Sequence, residues 1–535
     1  MDKPGTALGQ YEYDGSSEFP ARAPGDVDPP DLPADVLDRF GARLLDPAVA
    51  YRLDGQPAPR RTAYISDRLL LSRATRLDGG FELLQSVANH FRLELRQDVR
   101  MKRFADLRPD LDLAVVAKLF PLADRTPDDG PVDAWRILQE FRLRNPRSQD
   151  GSAPAIGLDH LVQLNPFVSP HPFVSPHPFV SPHPAGGYGG QSDGRVPVQV
   201  VLPEPRPRTL AHRAPVVALV DSGCGLHRWL RDVTDTPPGP VDRQVELDGV
   251  RLGLTSLRDP ETGGDYTGPL DGVLDSIAGH GTFMAGLVRQ VCPEAQILSM
   301  RVVPPEGVVP ESELILTLTQ LLELARRHVE SEPGGRPVDV LALALGYYHE
   351  GPQDVSFDAL IGAPLKGFAE LGIPVFLAAG NESTIRPMYP AAFAPDSEEL
   401  ARTTPMVPLT SVGALNPDSS VTLFSNSGKW VTAWEKGAHL VSTFPETFSG
   451  GLNPDASIMD PSNQPRRSLD PDSYTAGFGL WSGTSFAAPL LAARVAAAMV
   501  EASECGSWSL DDVGLKPTIV RASAALEAVR AVGPM

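Results

Sequence analysis

The chain has 535 residues and a formal net charge of −20 at pH 7. This length exceeds that of a typical single domain, so we expect at least two folded units. The acidic balance and the lack of a basic patch exclude nucleic acid as a partner. We also find no apolar run long enough to span a bilayer and therefore expect no membrane partner.

The N-terminus and the cysteines indicate the compartment. The first residues, MDKPGTALGQYEYDG, have neither the basic start nor the apolar core of a secretory signal. Cys224, Cys292 and Cys505 are widely spaced, odd in number and without a C-x-x-C pair, as in proteins of reducing compartments. We therefore predict a cytoplasmic protein, with signal-independent export left open.

The first half of the chain divides into two regions. Residues 1–57 are rich in Pro, Asp and Gly and are predicted to be disordered, with one short helix near Ala34 to Leu45. From 58 to 165 the apolar periodicity follows the order β-α-β-β-α-β, which is typical of a small α+β ferredoxin-like domain. The six predicted elements are residues 62–73, 81–91, 92–101, 111–123, 132–144 and 157–167.

Residues 166–197 form a linker in which PFVSPH occurs three times before the Gly-rich AGGYGGQSDGR. Regular prolines favour an extended polyproline II conformation. His171, His177 and His183 recur in the repeat and suggest a metal site, but in an extended linker successive histidines would lie roughly 19 Å apart. We predict a cleavable spacer instead, since proteases cut flexible backbone.

Residues 198–535 alternate apolar, strand-like runs with helical stretches. This pattern predicts an α/β domain with a mainly parallel sheet and right-handed crossovers. The predicted strands are residues 216–220, 296–303, 338–346, 373–379 and 406–415, and the predicted helices are residues 312–330 and 355–372.

A serine motif lies near the end of this region. The stretch Trp481 to Pro489, WSGTSFAAP, precedes the apolar run LLAARVAAAMV. Thr484 is a favourable N-cap residue and Pro489 is tolerated in a first turn, so we predict Ser485 at a helix start. Backbone donors there would stabilise an oxyanion beside its hydroxyl. Taken alone, the same run is equally typical of a tightly packed helix start without chemistry.

A nucleophilic serine needs a base and a carboxylate that orients the base. Asp221 ends an apolar run in APVVALVDSGCG, and His280 opens a predicted helix in GHGTFMAG. Asn381 follows another buried strand pattern in FLAAGNES. Ligands of open α/β sheets bind beyond the carboxyl ends of strands, where Asp221 and Asn381 are predicted to lie. Alone, either residue would be interpreted as a turn former.

Four motifs, D-S-G, G-H-G-T, A-A-G-N and G-T-S-x-A-x-P, occur here in the order found in subtilisin-type serine proteases. The chain resembles that family over roughly residues 210 to 530. The resemblance implies a subtilisin-like three-layer αβα domain with serine endopeptidase activity. It assigns Asp221, His280 and Ser485 as the catalytic triad, and the Ser485 backbone N–H with the Asn381 side chain as the oxyanion hole.

The resemblance also implies a cleft for protein or peptide substrates, with a strand on one side and a second wall opposite. Glu382 motivates a hypothesis that basic residues are accepted before the scissile bond. The residues implied to contact substrate are Gly307, Ala344, Leu345, Gly346, Ala378, Ala379, Gly380 and Glu382.

Two residues differ from the family pattern, and a third suggests a different nucleophile. Tyr347 replaces a usual glycine, and its bulk would either narrow the cleft or turn outward. Phe283 stands where the His motif often carries a second histidine. Cys224 lies near Asp221, but no base is spaced to serve a cysteine mechanism, so we interpret it as a small packing residue.

Subtilisin-type proteases are commonly preceded by a propeptide of ferredoxin-like topology whose tail inhibits the active site. The resemblance therefore implies that residues 58–165 act as an intramolecular inhibitor, although only the element order supports this. An unrelated accessory domain is the alternative. We predict no cofactor and no metal ligands: calcium often stabilises the family, but no Asp/Asn loop here has convincing ligand spacing.

Two other functions stay open. One is a catalytically restrained, protease-like regulatory or binding module controlled by its N-terminal domain. Loss of a catalytic residue would indicate it, and none is lost. The other places the main function in the N-terminal domain, as a sensor that stays attached to the active form.

Overall fold

The computed structural model describes residues 28, 32–53, 56, 58–145, 155–164, 195–268, 270, 272–351, 359–451, 457–467, 470 and 472–532. The repeat linker with His171, His177 and His183, and residues 1–27 of the predicted disordered region, lie outside the described residues. Residues 34–45, predicted as one helix, form a short helix that ends at Phe40 and a strand that begins at Ala42.

The N-terminal unit is a four-stranded antiparallel sheet with helices and one added strand. The sheet order is β5-β2-β4-β3, with β1 paired to β2. This is the ferredoxin-like order that the sequence predicts. Its elements are α1 Ala34–Phe40, β1 Ala42–Leu45, β2 Thr62–Ser72, α2 Arg73–Thr75, α3 Phe81–His90, β3 Leu93–Gln97, α4 Val99–Leu107, β4 Ala114–Pro121, α5 Ala134–Arg144 and β5 Ile156–Leu164.

The predicted strand 92–101 is wrong in its second half, where the chain turns into α4. Asp98 caps this helix, since its Oδ1 accepts hydrogen bonds from Arg100 N at 2.8 Å and Met101 N at 3.3 Å. Such a cap satisfies backbone donors that a helix start otherwise leaves open. The cap and the burial of Met101 and Ala105 outweigh the alternating pattern.

The C-terminal unit is built on a seven-stranded parallel sheet in the order β18-β17-β15-β13-β7-β11-β8. Its strands are β6 Val196–Pro197, β7 Val216–Asp221, β8 Val241–Asp242, β9 Glu246–Leu247, β10 Val250–Arg251, β11 Gln296–Arg301, β12 Val308–Pro310, β13 Val340–Leu343, β14 Leu345–Tyr348, β15 Val375–Ala378, β16 Met388–Tyr389, β17 Thr410–Leu415, β18 Ala433–Lys436, β19 Leu440–Thr443, β20 Ser457–Met459, β21 Pro465–Arg467 and β22 Phe478–Trp481.

Two groups of helices cover this sheet and complete the predicted three-layer αβα architecture. Helices α6 and α10 pack on each other and on the sheet, with α11 against α10, whereas α7 and α8 pack together. The five predicted strands are confirmed, with residues 338–346 divided at Ala344 into β13 and β14, whereas β8 and β18 of the sheet were missed. The helices are α6 His280–Val291, α7 Glu311–Val329, α8 Ala359–Glu370, α9 Ala394–Ala401, α10 Thr484–Glu504 and α11 Leu515–Val532.

The two units share one further sheet, because β5 continues beyond the N-terminal unit and runs between β12 and β14. Both pairings are antiparallel. Gln163 lies opposite Val308 on one side and Gly346 on the other. Apolar residues of both units, such as Val162 and Val309, belong to one continuous buried core.

Helix α10 is the one helix of the described residues with the length and apolar composition of a membrane span. The prediction that no run reaches this length is therefore wrong for α10. Its apolar window is 67% buried inside the protein, as expected for a core helix.

Candidate active site

The candidate site begins with a buried pair at the end of β7 and the start of α6. His280 Nδ1 lies 2.8 Å from Asp221 Oδ1. A carboxylate only accepts hydrogen bonds, so Nδ1 carries the proton and Nε2 presents its lone pair. The Nε2 atom is buried and has no hydrogen-bond partner among the described residues. This arrangement leaves Nε2 suited to accept a proton from a nucleophile.

Ser485 is the second residue of α10, and aromatic packing holds its helix against the histidine. The rings of His280 and Phe486 are 4.9 Å apart, and those of Phe283 and Phe486 are 4.5 Å apart. Phe283, which stands in place of a second histidine, is fully buried and helps join α6 to α10. The first turn of α10 therefore lies against the His280 ring.

Thr484 orients Asn381 and does not cap α10, contrary to the prediction; the cap residue is Gly483, with no side-chain cap. Thr484 N and Oγ1 donate to Asn381 Oδ1 at 2.9 and 3.0 Å. Since Oδ1 takes both donors, the Asn381 Nδ2 group points elsewhere. A Cβ built on Gly483 would lie 3.6 Å from Nδ2, so this nitrogen lies beside the start of α10.

The loop that carries Asn381 is tightly constrained. Gly380 has φ +99°, and a Cβ there would lie 2.3 Å from Asn426 Nδ2, so this position requires glycine. Glu382 Oε2 accepts from Asn381 N at 2.9 Å, from Asn426 Nδ2 at 3.0 Å and from the Tyr348 hydroxyl. Glu382 Oε2 is therefore used to hold the Asn381 loop in place and does not lie free at the rim of a substrate pocket. The hypothesis that Glu382 allows basic residues before the scissile bond stays a prediction.

The implied substrate walls are occupied by β5. Leu164 N donates to Gly307 O at 2.9 Å, and Leu164 lies opposite Leu345. The implied pocket residues Ala344, Ala378 and Ala379 are buried nearby, at the ends of β13 and β15.

Tyr347 faces the N-terminal unit. Its hydroxyl donates to Glu311 Oε1 at 3.1 Å, and its ring stacks on His160 of β5 at 4.3 Å. Tyr347 was predicted either to narrow the cleft or to turn outward. Neither describes its position, because the ring packs in the contact between the two units.

Glu261 is a site residue that sequence reasoning missed. Its Oε1 lies 2.5 Å from Ser222 Oγ and accepts from Gly281 N at 2.9 Å, and its Oε2 accepts from the Thr282 hydroxyl. Ser222 Oγ in turn lies 2.9 Å from Asp221 Oδ1. Glu261 therefore braces both the first turn of α6 and the residue after Asp221.

Burial raises the pKa of Glu261 to about 7, although hydrogen bonds from Ser222 and Thr282 oppose the shift. When protonated, Glu261 can donate to Ser222, whose single hydroxyl proton is then free for Asp221. Glu261 lies in an irregular loop far from the motifs, so neither periodicity nor spacing could have indicated it.

Cys224 is free, and burial raises the pKa of its thiol to about 11. A thiol with such a pKa is protonated at neutral pH and is a poor nucleophile. The cysteine mechanism therefore has no support here.

Residues 212–533 match the Subtilase family, Peptidase S8. Solved structures similar to this chain include a lanthipeptide protease, with 17% identity over 59% of this chain and 89% of that one at a TM-score of 0.36. A cold-adapted subtilisin-like serine proteinase has 20% identity over 60% of this chain and 85% of that one, at a TM-score of 0.33. The MycP3 protease of the type VII (ESX-3) secretion system has 18% identity over 57% of this chain and 75% of that one, at a TM-score of 0.33. No protein with a curated description matches.

Proposed function

Because the chain belongs to the subtilase family of serine proteases, we propose that it is an endopeptidase with Asp221, His280 and Ser485 as its triad. The observation that carries this proposal is the 2.8 Å contact between His280 Nδ1 and Asp221 Oδ1, which leaves the buried Nε2 without a partner among the described residues, in a ring that packs against Phe486, the residue after Ser485. Proteins and peptides are the substrates of this family.

In the proposed reaction the Ser485 hydroxyl attacks a peptide carbonyl while His280 Nε2 takes the hydroxyl proton. His280 then gives this proton to the leaving amine, and an acyl-enzyme forms. Asp221 keeps the imidazole in the Nδ1–H tautomer and stabilises its charged form. Water then attacks the acyl-enzyme while His280 Nε2 takes a proton from it. His280 returns this proton to the Ser485 oxygen as the acid product leaves.

The oxyanion of the tetrahedral intermediate would receive hydrogen bonds from Ser485 N–H and the Asn381 Nδ2 group. Donors fixed in place before the reaction stabilise this charge without reorganisation. Thr484 fixes the Asn381 amide through two hydrogen bonds to Oδ1, which supports this role.

We further propose that the N-terminal unit inhibits the protease in the intact chain. The support is the position of β5, which pairs with β12 and β14 and so occupies both implied substrate walls. A substrate strand would need the same backbone donors and acceptors. Substrate therefore competes with β5, which is linked to the enzyme and already in place.

Both proposals are tested by the intact masses of purified wild type and Ser485→Ala after incubation, with a casein assay on the same samples. We expect wild type alone to lose a fragment that ends between about Asn165 and Arg195 and to gain casein activity. Ser507→Ala, an exposed serine beyond the end of α10, is the control and should behave as wild type.

The other outcomes separate the alternatives. Casein activity without cleavage would keep the endopeptidase and make the N-terminal unit a permanent regulator, as in the sensor alternative. Neither cleavage nor activity in several buffers, together with no labelling of Ser485 by a fluorophosphonate, would contradict the enzyme and favour a restrained binding module.

A further inference from the structure

A buried cluster of polar side chains lies where the two units meet, away from the triad. It contains His160 of β5 and, from the C-terminal unit, His349 and Glu350 directly after β14. Their exposed fractions are 1%, 4% and 2%. One nitrogen or oxygen from each side chain lies within 4.8 Å of the others.

The two imidazoles approach one carboxylate oxygen in the same way. His160 Nε2 and His349 Nε2 each lie 2.9 Å from Glu350 Oε2. The second Glu350 oxygen, Oε1, is buried and accepts no hydrogen bond from the described residues. Arg142 is 3.8 Å from it, beyond hydrogen-bond distance. Two ring nitrogens and a carboxylate therefore converge in a space without solvent.

The other nitrogen of each ring has an outer partner. His160 Nδ1 lies 2.8 Å from Glu311 Oε2, and His349 Nδ1 lies 2.8 Å from Gly351 O. The same His349 Nδ1 is 3.0 Å from Gly351 N, the longer of its two contacts. Glu311 and Glu350 only accept, so without a metal both ring nitrogens of His160 carry protons and Nε2–H donates to Glu350 Oε2. His349 Nδ1 faces both an acceptor, Gly351 O, and a donor, Gly351 N. A metal bound here would replace the protons on the two Nε2 atoms.

A buried carboxylate needs positive charge beside it, which the protonated His160 ring and Arg142 supply without a metal and which a bound divalent cation would supply in place of the ring protons. Histidines that bind metals characteristically donate the other ring N–H to a carboxylate or a backbone carbonyl, and Glu311 and Gly351 O are acceptors of these two kinds. Two imidazoles and a carboxylate suit a divalent transition metal, zinc in particular, with water as a fourth ligand.

We propose that His160, His349 and Glu350 form a zinc site that joins β5 to the protease unit. One ligand comes from the N-terminal unit and two from the C-terminal unit, so the free energy of metal binding adds to that of docking. The site itself does not depend on the proposed activity. Its consequence, that zinc holds β5 in the cleft, does rest on the proposed function.

The test uses full-length Ser485→Ala, which cannot cleave itself. Because the repeat histidines could bind zinc themselves, His171, His177 and His183 are replaced by Gln in the same chain. After loading with Zn²⁺ and desalting, elemental analysis should find about one Zn²⁺ per chain. Co²⁺ in its place should give the visible absorption of a bound, low-symmetry site.

In that background His160→Gln and Glu350→Gln should each bind Zn²⁺ at least tenfold more weakly, an effect of about the size seen for lost metal-site partners. His90→Gln, an exposed histidine in α3, is the matched control. Circular dichroism checks that each variant is folded, and the Co²⁺ spectrum of a folded variant should be lost as well. Equal Zn²⁺ retention in all variants, or none in the parent, would overturn the site.

Without metal, the cluster would instead be an ion-pair centre. Burial disfavours the charged imidazole, but the hydrogen bonds to Glu311 and Glu350 prevail and raise the pKa of His160 to about 9. That is the conclusion if no Zn²⁺ binds.

The coupling to the cleft is tested in the chain with Ser485 intact. A zinc chelator should speed labelling of Ser485 by a fluorophosphonate, and added Zn²⁺ should slow it again. An equal labelling rate in both states overturns the coupling. No labelling in any state, even after the N-terminal unit is removed, would instead contradict the proposed serine protease.

Discussion

Single buried residues in this protein act through the hydrogen bonds that orient them. Asn381 is held by Thr484, and the helix that carries His280 is held by Glu261. In a buried site each such bond matters, because a polar group that loses its partner costs about 1–3 kcal/mol. The proposed chemistry therefore depends on residues that do not themselves react.

For the proposed oxyanion hole, we expect Asn381→Asp to lower kcat and leave KM nearly unchanged. Asp keeps the acceptor for Thr484 but removes the N–H donors. Loss of one oxyanion donor in a subtilisin costs about 10²–10³ in kcat, and we adopt the magnitude known for that enzyme. Steady-state kinetics on a peptide substrate provide the measurement. Asn89→Ala, exposed on α3, is the control, and a raised KM at constant kcat would contradict the assignment.

For Glu261 we expect a pH-dependent contribution to stability. Its pKa rises from 4.5 to about 7 on folding, so the folded state favours the protonated carboxyl. The stabilisation is fully present below pH 4.5 and is lost as the pH rises through 7. In the Ser485→Ala background, the unfolding free energy of the parent relative to Glu261→Gln should therefore fall across this range.

Urea unfolding at several pH values measures this difference. Glu246→Gln, an exposed glutamate in β9, should show no such trend. Parallel curves for Glu261→Gln and its parent would show that Glu261 does not titrate in this way. In the chain with Ser485 intact, Glu261→Gln should also lower the proteolytic rate at neutral pH. The amide has one acceptor oxygen in place of two, so either Gly281 N or the Thr282 hydroxyl loses its acceptor at the start of α6.

Among the elements, β5 has the largest consequence for the proposed function. It begins as a strand of the N-terminal sheet and ends between the two implied walls of the substrate cleft. Asp159 of the same strand also accepts hydrogen bonds from Ser312 N at 2.9 Å and Oγ at 2.7 Å, at the first turn of α7. One strand thus joins the cleft to a helix start, where an acidic side chain is stabilising.

We expect Leu164→Glu to weaken the end of β5 and open the cleft. Leu164 is 3% exposed, and an unpaired charge buried there is strongly unfavourable. Labelling of Ser485 by a fluorophosphonate in the uncleaved chain should become about tenfold faster or more. Leu143→Glu, at a leucine of α5 that is 57% exposed, is the control. Equal rates for both variants would show that β5 does not limit access.

On the scale of the whole molecule, the two units behave as one packed body. They share a continuous apolar core and an eight-stranded sheet. Ion pairs cross the same contact, including Arg100 to Glu313 at 2.8 Å and Arg39 to Glu306 at 2.6 Å. Apolar burial supplies most of the free energy of such contacts, and exposed ion pairs add little.

We therefore expect the two units to stay together after the linker is cut, so the proposed gain of casein activity in wild type requires further proteolysis of the N-terminal unit, which Ser485→Ala cannot perform. A site for a specific protease is placed in the Gly-rich segment after the repeat, in Ser485→Ala, and the cut protein is analysed by gel filtration. The fragments should elute together at low and high salt, because apolar contacts are not screened. Separate elution in native buffer would contradict the shared core.

The sequence by itself determined much of the architecture. Strands and helices follow from local periodicity, which neighbouring residues impose through burial on one face. The four motifs identified the subtilase family because each needs particular residue types at fixed local spacing. The β-α-β-β-α-β order was also sufficient to predict the ferredoxin-like sheet. Two of the errors, at Asp98 and Thr484, were local, because side-chain hydrogen bonds there decide between a strand, a helix start and a support for another loop.

Only the tertiary structure decided which distant residues meet. The placement of β5 in the cleft joins Gln163 to Val308 and Gly346, and nothing in the periodicity of β5 distinguishes that pairing from an ordinary sheet edge. Likewise, Glu261 reaches Ser222 across 39 residues, and His160 reaches Glu350 across 190. Propensity and spacing act over a few residues, whereas these contacts depend on how complete elements pack, so the sequence alone could not reveal them.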